Sequence, residues 1–205
     1  MIALIDYGIG NLQAFLNLYQ RLHIPVMVAT TVEHIEQADK LILPGVGHFD
    51  HAMQLFNASA MKDAVVRRVT EDKVPIIGIC VGMQMLAFSS EEGSEPGLGW
   101  VPGRVRSLKS ALDNTQLPMP HMGWNDVVAT IDAPLFKHFT ADDTRFYFLH
   151  SYYFQPDHTE FCIARCDYGI SFSCAVRKGN VFGVQFHPEK SHHFGEQLLK
   201  NFAEL

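Results

Sequence analysis

The hydrophobic pattern opens with an apolar run, Ile2 to Ile5, that stops at Asp6 and a glycine turn. Leu12, Phe15, Leu16, Tyr19 and Leu22 then recur at helical spacing, so the first unit reads as strand, turn, helix. Val26 to Ala29 predicts a second short strand. Thr30-Thr31-Val32-Glu33 has the S/T-x-x-E form of a capping box and predicts a short helix after it. Lys40 to Leu43 predicts a third strand, stopped by Pro44-Gly45. Helical patterns follow through His48 to Phe56 and Met61 to Val69, then a fourth strand at Val74 to Ile79. This alternation argues for a mostly parallel sheet covered on both faces.

Past Cys80 a helix through Met83, Leu86 and Ala87 is expected, fading into a loop from Ser89 to Gly99. The pattern then changes to short strand-like runs: Val101 to Leu108, Trp124 to Ala129, Arg145 to Leu149, Phe161 to Arg165, Ser171 to Arg177 and Val181 to Phe186. Lys178-Gly179-Asn180 reads as a tight hairpin turn between the last two. A helix from Phe194 to Phe202 closes the chain. No internal repeat or long linker divides it, so one α/β domain over residues 1–205 is expected.

Composition narrows the classes. Of the 205 residues 47% are hydrophobic and 19% charged, the profile of a globular enzyme. The net charge of -6 and scattered Lys and Arg lack the footprint of nucleic-acid binding. No run approaches a membrane span, and Asp6 breaks the apolar stretch a signal peptide would keep, so a cytoplasmic protein is expected. The 4 cysteines form no CxxC pair and read as free thiols.

Gly78-Ile79-Cys80-Val81-Gly82 follows an apolar strand and opens a helical pattern. This is a G-x-nucleophile-x-G elbow with cysteine in the nucleophile position: the sharp turn needs a strained backbone angle, and the glycines remove clashing side chains. A helix N-terminus there would favour thiolate. A nucleophilic thiol needs a base, and the base an orienting group. Gln185-Phe186-His187-Pro188-Glu189 supplies both, since Pro188 biases His187 toward extended backbone and residues two apart then point the same way. Pro44-Gly45-Val46-Gly47 follows a neighbouring strand, where a backbone N–H can serve an oxyanion; Gly45 and Gly47 leave the peptide between them free to rotate. Gly8-Ile9-Gly10 has Gln13 in place of the third glycine of a dinucleotide fingerprint, which excludes a nicotinamide site. His187, His192 and His193 match no zinc spacing, so no metal and no cofactor are expected.

Cys80, His187 and Glu189 on these motifs resemble the class I glutamine amidotransferase family. Asp6 to Leu12, Leu43 to Gly47, Gly78 to Gln84, Pro120-His121-Met122-Gly123-Trp124-Asn125, His150-Ser151-Tyr152 and Gly183 to Ser191 resemble one branch of it. That branch supplies ammonia to a (β/α)8-barrel cyclase forming imidazole glycerol phosphate and AICAR in histidine biosynthesis. The resemblance implies a flavodoxin-like three-layer domain with a mostly parallel central sheet and added antiparallel strands in its C-terminal half. It implies a Cys80-His187-Glu189 triad hydrolysing L-glutamine, with an oxyanion hole at Gly45, Val46 and Val81. Substrate contacts would come from Gly47, Gln84, Ser151 and Tyr152, and contacts to the partner in a heterodimer from Asn11, Trp124 and Tyr147. For Trp124 a core position is the alternative. Three rival readings remain: a paralogous glutaminase serving sugar amidation in surface-polysaccharide synthesis, a catalytically silent interaction module, and a hydrolase of a related cysteine-elbow fold. The intact triad residues argue against the second, and His-Pro-Glu near the C-terminus against the third.

Overall fold

The computed structural model describes residues 1–112, 117–130, 133–140 and 144–205. Its first half runs β1 (Ile2–Ile5), α1 (Leu12–Arg21), β2 (Val26–Ala29), α2 (Val32–Glu36), β3 (Lys40–Gly45), α3 (Phe49–Ala58), α4 (Lys62–Thr70), β4 (Ile76–Cys80) and α5 (Val81–Gln84). The second half runs β5 (Ser89–Ser90), β6 (Gly103–Ser107), α6 (Leu108–Ala111), β7 (His121–Asp126), β8 (Val128–Ala129), β9 (Arg145–His150), β10 (Tyr152–Pro156), β11 (Cys162–Asp167), β12 (Ser171–Lys178), β13 (Val181–Val184) and α7 (His192–Ala203).

The strands β2-β1-β3-β4-β13 lie side by side and all parallel. They are mostly apolar because helices cover both faces of such a sheet; every residue of β1 and β4 is buried. Right-handed crossovers put α1 on one face and α2 to α4 on the other, since the chain moves left from β1 to β2 and right from β2 to β3. On the first face the buried Tyr19 hydroxyl of α1 donates to the Leu199 carbonyl of α7 at 3.2 Å. Beyond β13 the sheet turns antiparallel through β12, β10 and β6, and β7 pairs with β9 in a separate two-stranded ribbon. The mixed sheet agrees with the fold class read from the sequence.

Several element bounds differ from expectation. Thr31, not Thr30, caps α2, its hydroxyl accepting from the His34 N–H. Pro44 does not stop β3: the register with β1 ends at Ile42, so the missing N–H at Pro44 breaks no bond on that side while pairing with β4 continues to Gly45. The helix after Cys80 ends at Gln84, where the bonds tighten into three-residue turns at Leu86 and Ala87. The strand β10 was not expected from its sequence. The hairpin between β12 and β13 turns on Gly179 and Asn180, with Lys178 paired to Val181.

Candidate active site

The C-terminal ends of β3, β4 and β13, three adjacent parallel strands, carry the three local motifs, at the edge where open α/β sheets hold their sites. Cys80 closes β4 with φ 55 and ψ -110, a conformation non-glycine residues avoid. Close approach enforces the flanking glycines: a Cβ on Gly78 would lie 2.4 Å from the Gly82 carbonyl oxygen, and one on Gly82 only 2.0 Å from that of Leu43. The strain is held by this backbone-on-backbone packing, and it turns the thiol out of the sheet edge. Cys80 Sγ lies 3.9 Å from the Leu149 carbonyl oxygen and 3.8 Å from Gln185 Nε2. Because α5 spans only 4 residues, its dipole is that of one turn, and the helix contribution expected at the thiol is correspondingly small. The other three thiols lie in the core; burial pushes Cys166 up to about 12 and Cys174 well above the usual thiol range.

His187 and Glu189 meet as a buried pair, Nδ1 to Oε1 2.8 Å. The route differs from the one expected. His187 is extended, but Pro188 begins a 3-10 turn, Pro188–Lys190, and the carboxylate reaches back from that turn rather than from a strand. The carboxylate on Nδ1 leaves Nε2 for the cleft, whose lining His187 shares with Cys80. Burial is the largest influence on the ring and opposes its charge, yet Cys80 and Glu189 together outweigh it and raise His187 to about 10. The turn is clamped from β9: the His187 N–H donates to the Tyr147 carbonyl at 2.9 Å, the Tyr147 N–H to Ser191 Oγ at 3.0 Å, and Ser191 Oγ–H to the His187 carbonyl at 2.6 Å.

Cys80 and His187 open into a cleft of about 460 Å³, whose lining includes Val46, Gly47, Val81, Gln84, Ser151 and Tyr152. Gly45 is not part of that lining. A Cβ there would lie 2.2 Å from the Gly82 nitrogen, and the residue pairs with Cys80 in the ladder. A side chain is thus excluded at 45, while Val46 is exposed and Gly47, with φ +86, has open space around it. Gln84 gives Nε2 protons to the Tyr152 carbonyl and to Gln185 Oε1, both at 3.1 Å, so only its Oε1 faces a ligand unengaged.

The description "glutamine amidotransferase class-I" matches residues 3–205. The chain belongs to the class I glutamine amidotransferase family. Within this family it is 57% identical over 205 residues, the full length of both chains, to the imidazole glycerol phosphate synthase subunit HisH of Bdellovibrio bacteriovorus. It is 45% identical, again over the full length of both, to the subunit of the same name from Leptospira interrogans. Among solved structures a glutamine amidotransferase superposes with TM-score 0.73 at 22% identity, covering 99% of this chain and 97% of that one. PurLQS of Thermotoga maritima superposes with TM-score 0.74 at 18% identity over 99% and 97% of the two chains. At these identities the superpositions speak for the fold alone.

Beside the amidotransferase cleft the β7–β9 ribbon divides its residues by face. Met122 and Trp124 of β7 and Leu149 of β9 are exposed and Tyr147 half-buried; Met122 pairs with Leu149, and Trp124 with Tyr147. Trp124 is 43% exposed, which excludes a core role. Asn11 is exposed at the start of α1, its Oδ1 accepting from the Ala14 N–H at 3.4 Å. Its neighbour Gly10 packs so closely on Pro44 that a Cβ would lie 2.7 Å from the ring. Sequence reasoning missed Glu92 and Lys190 in the cleft lining, Gln185 at the sulfur and Ser191 under the histidine turn. The Glu92 carboxylate is held by the Phe49 N–H at 2.9 Å, across 43 positions of chain. No local pattern signals such a pair.

Proposed function

We propose that this chain is the glutaminase subunit of an imidazole glycerol phosphate synthase, releasing ammonia from glutamine for a (β/α)8-barrel cyclase partner. The observation that carries the reading is the convergence of a strained cysteine elbow and a buried His–Glu pair in one cleft, on a chain with full-length HisH relatives. In this reading the Cys80 thiolate attacks the side-chain amide carbon of glutamine. The oxyanion is met by backbone N–H groups at Val81 and at the Gly45–Val46 peptide. The His187 imidazolium gives its Nε2 proton to the departing nitrogen, and ammonia leaves. His187, now neutral, takes a proton from water as it attacks the thioester, and glutamate departs with Cys80 restored. Glutamine and water thus become glutamate and ammonia. Glu189 holds the tautomer and offsets the imidazolium charge. Glu92 offers a carboxylate to the substrate α-ammonium.

The apolar face of Met122, Trp124, Leu149 and Tyr147 beside the cleft mouth suits a partner surface that seals the site so ammonia passes on unprotonated. The segment between Gly45 and Gly47 offers a gate, a Val46 N–H that turns toward the oxyanion when the partner docks, with Gly10 against Pro44 linking it to the Asn11 segment. The HisH relatives favour this pathway over sugar amidation. The test supplies glutamine labelled with ¹⁵N in its amide to the chain with its co-purified synthase, in excess unlabelled ammonium. The reading expects the label in the imidazole product, and glutamate release far slower without the partner. Dilution of the label to the level of the bulk ammonium would contradict channelling.

A further inference from the structure

Two histidines outside the triad lie buried against each other at the cleft, whose lining includes His150. His121 and His150 are direct partners across the β7–β9 ribbon, with His121 Nδ1 2.8 Å from His150 Nε2. Their surroundings decide where the protons sit. The Tyr152 carbonyl can only accept, so His150 Nδ1, 2.8 Å from it, carries a hydrogen. Burial keeps both rings neutral, lowering His121 to about 4 and His150 to about 3. His150 Nε2 is therefore bare and accepts from His121 Nδ1–H. His121 Nε2 is then an acceptor, and Asn125 Nδ2 donates to it at 3.2 Å while giving its other hydrogen to the Asp167 carbonyl at 2.8 Å. Asn125, His121, His150 and the Tyr152 carbonyl form one chain of donors running in a single direction, each bond polarising the next.

The chain is braced at its middle and committed at its end. His121 is stacked between Phe148 and Tyr168, centroids 4.7 and 4.0 Å away, which fixes the ring plane. A phenylalanine at either position would pack in this aromatic cluster as well, but would supply no donor. The end point is the cleft wall itself: Ser151 and Tyr152 line it, and the same Tyr152 carbonyl also receives Gln84 Nε2. Through Gln84 and Gln185 that carbonyl is tied to the Cys80 side. At its other end the chain starts beside Trp124, on the strand whose outer face is exposed.

We propose that His150, held in its tautomer by His121, is a positioning residue that sets the Ser151–Tyr152 edge of the glutamine cleft. The proposal deepens the glutaminase reading and rests on it. The His150 N–H fixes the wall to which glutamine binds, so its loss weakens glutamine binding more than it slows the chemistry at Cys80.

The test compares His150→Asn with His150→Gln in the complex with the synthase. Both keep a buried amide, but Asn places its NH2 near the Nδ1 position and Gln near that of Nε2. His150→Gln is expected to raise the glutamine KM roughly tenfold with kcat within about threefold of wild type, whereas His150→Asn keeps both within about threefold. Calorimetric glutamine Kd values, measured with each substitution added to Cys80→Ala, should move with KM. His121→Leu, with His150 intact, is expected to raise KM about threefold, and an unchanged KM there removes His121 from the proposal. Equal KM for the Asn and Gln variants, or activity lost only in proportion to unfolding in a thermal melt, overturns the role of His150. A wild-type complex that releases no glutamate refutes the glutaminase reading instead, while the Kd series still reports on the wall.

Discussion

Replacing Glu189 by Gln separates catalysis from folding more cleanly than any other change in the site. The carboxylate is buried, one oxygen bound to His187 Nδ1 at 2.8 Å and the other, Oε2, without a hydrogen-bond partner among the described residues. Its charge shares with Cys80 the lift of His187 to about 10 against the pull of burial. If Glu189 supplies about half of that lift, its loss weakens the imidazolium by roughly 2 kcal/mol, or about 30-fold in any step that needs it. Glutamine can also turn its NH2 toward Nδ1 and impose the wrong tautomer, adding up to roughly another tenfold. Turnover should therefore fall about 30- to 300-fold, less than the ~10⁴ lost by the corresponding change in serine enzymes, because a thiol ionises more readily. Stability should hold, since the swap is isosteric and removes a buried charge that has an unpaired oxygen. The assay is glutamate release by the complex beside a thermal melt of the same sample. Near wild-type turnover would refute the orienting role, and a melting temperature lower by more than about 10 °C would refute the claim that the loss is catalytic.

Gly82→Ala puts a methyl into the Leu43 carbonyl, so β3 and the elbow must part by about 1 Å; turnover should fall ~10²-fold with roughly 1–3 kcal/mol lost in stability, read by kinetics and denaturant melts. In Cys80→Ala the His187 titration, followed by NMR of the ring nitrogens, should move down from about 10 because the sulfur no longer holds the proton; an unmoved titration would place the sulfur out of contact. His187 binds its proton more tightly folded than unfolded, so the stability this gives is complete below the unfolded value of 6.5 and is lost as pH rises through about 10. His121 and His150 act with the opposite sign: their folded values lie below 6.5, so their contribution is complete above it and is lost as pH falls toward about 4 and 3. His150→Asn should accordingly lessen the fall in melting temperature between neutral pH and pH ~5.

The parallel half of the sheet was legible because its strands β1 and β4 are buried along their whole length and therefore apolar without a break. Tyr152–Pro156 was not legible as a strand: only Phe154 is buried, so neither alternation nor a continuous run marks it, and pairing with β6 makes it. Cys80, His187 and Glu189 could be found because their neighbours in sequence shape them: glycines forced by close approach, and a proline that starts the turn. Glu92, Gln185 and Ser191 owe their places to contacts across the fold, Gln185 to Cys80 across 105 positions, which no local pattern encodes. The need for glycine at 45 is likewise set across the fold, since the Gly82 backbone that excludes a side chain there belongs to α5.

The central claim is that this chain's chemistry ends when ammonia is released. Cys80→Ala in the complex with its synthase, assayed for imidazole product with glutamine and separately with ammonium salt, tests it most directly. The account predicts product from ammonium at close to the wild-type rate and none above background from glutamine. Loss of both activities, with the complex intact by gel filtration, would contradict it.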